Sequence, residues 1–166
     1  MKTFLLFFLV ALVSGASADD QEAPKSNVLK TLPTDNVESL GTTIVVDKQA
    51  TADGHATLKV TTLNPTLICL GEFSIDEVEK AKLTVKAKLK SEKLKGTARV
   101  EIGIFWEGEP YFGSDKDSVV TQTLDWTEVG ASYILRGNVK TNKVIVVLVI
   151  SGRGTVWVDD VKVTKN

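Results

Sequence analysis

One short stretch concentrates the side chains best suited to holding a ligand. Residues 105–115 read Phe-Trp-Glu-Gly-Glu-Pro-Tyr-Phe-Gly-Ser-Asp. The chain has three Trp, two Tyr and six Phe, and four of these aromatics fall within eight residues here. Recognition of a sugar needs aromatic plates for the C–H faces of the ring and a few placed polar groups for its hydroxyls. Trp106, Tyr111 and Phe112 can supply the plates; Glu107, Glu109 and Asp115 can supply the polar groups. A Gly/Pro loop on a rigid scaffold is where binding residues concentrate. The competing reading is that Trp106 and Phe112 plug the end of a core. Solvent exposure of the rings decides between the two.

Other chemistry is sparse. The chain has one His and one Cys, so a His-rich zinc site and an internal disulfide are both excluded. His55 follows the turn Asp53-Gly54 and reads as a surface turn residue. Cys69 sits in the apolar run Thr66-Leu-Ile-Cys-Leu70 and reads as a small buried hydrophobe. No Gly-x-Ser-x-Gly nucleophile motif occurs. The acidic residues leave a carboxylate pair for glycoside hydrolysis open by count, but no pair has context that picks it out. Lys plus Arg is 20 against 21 for Asp plus Glu. That balance offers no basic field for nucleic acid and no polybasic patch for an anionic membrane.

The elements that must position these residues are strands. Residues 1–18 have the pattern of a cleaved signal peptide: Lys2, an apolar run from Phe4 to Val13, then Ala16-Ser17-Ala18. The run is too short to span about 30 Å of hydrocarbon. Export without disulfides suits a bacterial cell, in the periplasm or outside. Residues 19–40 are polar with two prolines and read as a flexible lead-in. From residue 41 to 166 the pattern is strand after strand. The cleanest is Ala81 to Lys90, where Ala81, Leu83, Val85, Ala87 and Leu89 alternate with Lys82, Thr84, Lys86, Lys88 and Lys90. That lysine stripe reads as a solvated sheet face that discourages edge aggregation. Lys143 to Ile150 is apolar on both faces, as in a central strand. Ser74 to Lys80 has capping-box spacing and is the one helical candidate. In the last strand Val156 and Val158 share one parity and Val161 and Val163 the other. All four can face a core only if a β-bulge falls at Asp159-Asp160. The fold expected from this pattern is an all-β sandwich or barrel of eight to ten antiparallel strands.

The closing segment Gly152-Arg-Gly-Thr-Val-Trp-Val-Asp-Asp-Val-Lys-Val163 resembles the last strand of jelly-roll carbohydrate-binding modules with the galactose-binding-like fold. Asp53-Gly-His-Ala-Thr-Leu-Lys-Val60, the strand Ala81 to Leu89 and Asp125-Trp-Thr-Glu-Val129 resemble further elements of that family, in the same order. The chain is also similar to exported bacterial proteins ending in G-x-G-T-V-W-x-D-D. The resemblance covers about residues 42–164. It implies an all-β, jelly-roll β-sandwich and a non-catalytic module that binds carbohydrate or another extracellular polymer. A structural or protein-interaction sandwich is the second reading and a glycoside-active enzyme the third. The resemblance also implies a structural calcium, with Asp159 as its main side-chain ligand and Asp53 or Asp47 beside it. The chain departs from the family pattern in having no acidic residue on its first strand other than Asp47 at the end.

Overall fold

The computed structural model describes residues 27–34, 43–52 and 54–166. The signal-peptide reading of residues 1–18 therefore lies outside the described residues, as do Asp53 and most of the lead-in. The described chain contains no helix and eight strands. These are β1 (Asn27–Thr31), β2 (Thr43–Asp47), β3 (Thr57–Thr62), β4 (Thr66–Glu79), β5 (Lys82–Trp106), β6 (Glu109–Ser114), β7 (Val120–Ile134) and β8 (Lys140–Lys165). All their pairings are antiparallel.

A long ribbon of β5 and β8 organises the fold. They pair from Leu83↔Lys165 to Ile104↔Val144. Partners on the outer sides of this ribbon change partway along it. The first half of β8 pairs with β4, and its second half with β3 and then β1. The second half of β5 pairs with β6, and its first half with β7. Two layers result: β4-β8-β5-β6 and β2-β3-β8-β5-β7. Their inward residues form one core cluster, which includes Val100, Ile102, Val146 and Leu148 from one layer and Leu83, Val85, Val156 and Val163 from the other. This is a jelly-roll sandwich: the alternation predicts a sandwich or barrel, and the resemblance implies the jelly roll.

The exchange of partners is centred on two glycines. Gly96 and Gly152 stand opposite each other. A Cβ on Gly96 would come within 2.0 Å of the Ser151 carbonyl oxygen, and one on Gly152 within 2.0 Å of the Lys95 carbonyl oxygen. Both have positive φ, 133° and 152°, which other residues rarely adopt. The ribbon can turn its corner here because neither strand carries a side chain.

Several segments differ from the sequence reading. Gly152-Arg-Gly154 is this corner within β8 rather than a turn between two strands. Ser74 to Glu79 continues β4 instead of forming a helix. One or two helical turns do not offset the cost of nucleation, whereas the strand pairs Val78 with Thr141 and buries Val78. Within the lead-in expected over 19–40, Asn27–Thr31 is an edge strand and Leu32 enters the core. The bulge at Asp159-Asp160 is present: pairing passes from Lys86↔Lys162 to Lys88↔Asp159, and Asp160 has φ +51°. It lets Val156, Val158, Val161 and Val163 all face inward.

Candidate functional site

The aromatic stretch forms a hairpin at the end of the ribbon. The last residues of β5 pair with β6 from Glu101↔Ser114 to Trp106↔Glu109. Glu107 and Gly108 make the two-residue turn, both with positive φ, 52° and 88°. Such a turn matches the twist of its strands, and a non-glycine residue held there carries strain of about 1 kcal/mol or more. Period-two alternation then sorts the side chains. Trp106 and Tyr111 are diagonal neighbours on one face, with ring centroids 5.7 Å apart and planes tilted by 53°. Both are exposed, Trp106 at 37% and Tyr111 at 42%. Phe112 falls on the opposite face, opposite Gly103, where a Cβ would meet its ring at 2.8 Å.

A groove of about 460 Å³ runs beside the hairpin. Phe105, Trp106 and Glu107 line one side, and Glu77, Lys140, Asn142 and Lys143 line the other. Lys143 Nζ lies 4.4 Å from the Phe105 ring centroid and pairs with Glu72. Lys140 pairs with Glu77 at 3.2 Å, which pushes its pKa up. The residues of this second wall come from β4 and from the start of β8. Sequence reasoning missed them because only strand pairing brings them to the hairpin. Asp115 is not part of this groove. Its Oδ1 accepts the Asp117 N–H at 3.0 Å, and it borders a separate polar hollow with Ser118, Glu128 and Ser132. Of the six candidates, the structure thus gathers Trp106, Glu107, Glu109 and Tyr111 at the hairpin tip, turns Phe112 to the far face and separates Asp115.

The expected calcium ligands lie at the other layer. Asp159 is 4% exposed, with Oδ2 accepting the Ala52 N–H at 2.9 Å and Oδ1 the Asp160 N–H at 2.8 Å. Asp47 Oδ2 accepts the Trp157 indole N–H at 2.9 Å, and Oδ1 accepts the N–H groups of Gln49 at 2.9 Å and Ala50 at 3.1 Å. These bonds, the indole first, hold the Asp47 carboxyl down at about 2. Every oxygen of both carboxylates faces a donor, as in a clasp between strands. Among the described residues no group of three His, Cys, Asp or Glu side chains is arranged to hold a metal ion. Asp159 and Asp47 thus fit an N–H clasp rather than a cation cage; Asp53, the third expected ligand, lies outside the described residues.

No family model matches the chain, and no curated protein does. Solved structures share its fold. The CBM22-1 xylan-binding domain of Xyn10C from Paenibacillus barcinonensis superposes with a TM-score of 0.58 at 10% identity, over 85% of this chain and 96% of that one. Family 16 Carbohydrate Binding Module-2 superposes at 0.53 and 12% identity, over 76% and 89%. The CBM22-1-GH10 modules of endo-1,4-beta-D-xylanase 10B from Clostridium thermocellum, complexed with xylohexaose, superpose at 0.59 and 12% identity over 82% of this chain and 28% of that one. The chain therefore has the jelly-roll β-sandwich fold of carbohydrate-binding modules. At such identities the likeness is one of fold, and the site must be argued from this chain's own residues.

Proposed function

We propose that the chain is an exported, bacterial, non-catalytic module that binds carbohydrate at the β5–β6 hairpin. The observation that carries this reading is the exposed Trp106–Tyr111 pair beside a polar groove. A pyranose ring stacks on Trp106 while Asn142 and Glu107 meet its hydroxyls. The groove's charges suit binding better than acid–base work. Glu77 is paired with Lys140 at 3.2 Å, whereas a general acid needs surroundings that hold its proton. Calcium remains the ion that the resemblance brings with it. To hold it, Asp159 and Asp47 would have to give up the N–H bonds they now accept, so the clasp is favoured over a bound ion.

Retention on a panel of insoluble polysaccharides that includes xylan tests the function. At least one should retain the protein, and Trp106→Ala should weaken that retention by about 30-fold, the loss of roughly 2 kcal/mol expected of an anchoring aromatic. Partner capture without any glycan retention would point instead to the interaction module.

A further inference from the structure

Two pairs of cations face each other across the β5–β8 ribbon, and their surroundings differ. Lys86 stands opposite Lys162, and Lys95 opposite Arg153. Like charges directly opposite destabilise a sheet. The first pair is neutralised: Lys86 meets Glu128 at 2.7 Å, and Lys162 meets Asp160. Lys88 and Lys90 beside it meet Asp160 at 3.8 Å and Asp125 at 3.2 Å. The second pair has no carboxylate among the described residues within ion-pair reach. Glu92, which lines the same groove, is held by Lys93 at 3.4 Å.

Lys95 and Arg153 open into a groove of about 310 Å³, together with Lys93, Thr61, Thr62 and Thr155. The hydroxyls of Thr61 and Thr155 share a hydrogen bond of 3.2 Å. The backbone that carries the pair is tightly constrained. Each residue adjoins one of the corner glycines, Gly96 and Gly152, whose backbones touch too closely to admit a Cβ. The fold therefore sets two unmatched cations opposite each other beside a groove whose wall includes three threonines.

We propose that Lys95 and Arg153 form an anion subsite for a carboxylate or sulfate group on an acidic polysaccharide. The Arg guanidinium gives a planar fork that binds either oxyanion through two bonds, and Lys adds a point charge. The threonine hydroxyls suit a ligand rich in hydroxyl groups. The site is separate from the hairpin: Lys95 and Trp106 are 106 − 95 = 11 residues apart on β5, up to about 36 Å. Nucleic acid is a poorer fit, because phosphate-backbone binding draws on many cations and this chain has net charge −1. The subsite rests on the proposed function for the sugar backbone of its ligand, and on its own geometry for the anion.

Affinity electrophoresis of the purified protein in gels containing polygalacturonate, dextran sulfate or neutral xylan tests it at low salt. At least one acidic polymer should retard the wild type, and which one does so separates carboxylate from sulfate. The double variant Lys95→Gln/Arg153→Gln should weaken that retardation about tenfold or more and leave any retardation by xylan unchanged. Lys86→Gln/Lys116→Gln removes the same charge elsewhere and should behave as wild type. Lys95→Glu should abolish acidic-polymer binding while holding or raising the melting temperature, because it creates an opposite-charge pair with Arg153. The proposal is overturned if neither acidic polymer retards the wild type, or if both double variants lose retardation equally. Equal retardation of wild type and Lys95→Gln/Arg153→Gln overturns it, as does binding of single-stranded DNA as strong as that of the acidic polymer. Loss of the Lys95/Arg153 effect with Trp106-dependent glycan retention intact sinks the subsite alone. The reverse pattern sinks the hairpin reading alone.

Discussion

Trp157 and Trp106 both lie on the β5–β8 ribbon, and the fold uses them oppositely. Trp157 is 6% exposed, its indole N–H is committed to Asp47, and Lys59 lies over its ring at 5.0 Å. Trp106 is 37% exposed, touches Tyr111, and has no hydrogen-bond partner for its indole among the described residues. At the first tryptophan the neighbouring carboxylates are saturated with donors. At the second, Glu107 and Glu109 stand at the tip of a turn open to solvent. A committed aromatic stabilises the sandwich, and an uncommitted one is available to a ligand.

The largest effect should come from the corner that joins the two regions. Gly152→Ala places a Cβ 2.0 Å from a backbone oxygen, so the chain should fail to fold or lose several kcal/mol. Gly108→Ala, at the open hairpin, meets nothing within 4 Å and should cost only about 1 kcal/mol of backbone strain. Thermal unfolding of both variants checks the contrast, and equal losses would break it.

Trp157→Ala comes next. Removal of a buried aromatic costs about 3–5 kcal/mol, a fall of roughly 10–20 °C in melting temperature for a domain of this size. Glycan retention by the remaining folded protein should be unaffected. A drop in retention at unchanged stability would mean that Trp157 serves the ligand after all.

Acid should loosen the clasp in a defined window. Asp47 has a folded value of about 2 against an ordinary value near 3.9. Its depressed value means that its contribution is full above the ordinary value and is lost as pH falls towards 2. The melting temperature of the wild type should therefore fall between about pH 4 and pH 2 more steeply than that of Asp47→Asn. Parallel curves would show that the indole–carboxylate bond contributes nothing. Chelation should have the smallest effect. With N–H donors on every oxygen of Asp47 and Asp159, added chelator should leave the melting temperature unchanged, whereas a fall of several degrees would place a bound ion there.

Much of the scaffold could be read directly from side-chain parity. The four valines of the closing strand required a bulge at Asp159-Asp160, because a period-two strand cannot otherwise bury both pairs. The alternation over 81–90 fixed the face of β5 in the same way. Elements whose local chemistry opposes their tertiary role were harder to see. β6 contains Pro110 and Gly113 and reads as a loop, yet an edge strand tolerates a missing N–H. Once β6 is a strand, Phe112 must point away from Tyr111, which the loop reading could not show. β1 is polar because it is exposed along most of its length, so its composition resembles a tail. The groove's second wall, Lys140 to Lys143 with Glu77, depends on strand register between distant segments, and no local pattern carries that information.

The most direct test of the account is a paired measurement on Trp106→Ala: melting temperature and retention on the polysaccharide that holds the wild type. Trp106→Ala should keep its stability within about 1 kcal/mol of wild type, a melting-temperature shift of only a few degrees, as for other exposed positions, with retention weakened about 30-fold. Unchanged retention would show that the ligand surface lies elsewhere, and loss of retention only through unfolding would show that Trp106 closes the end of the core.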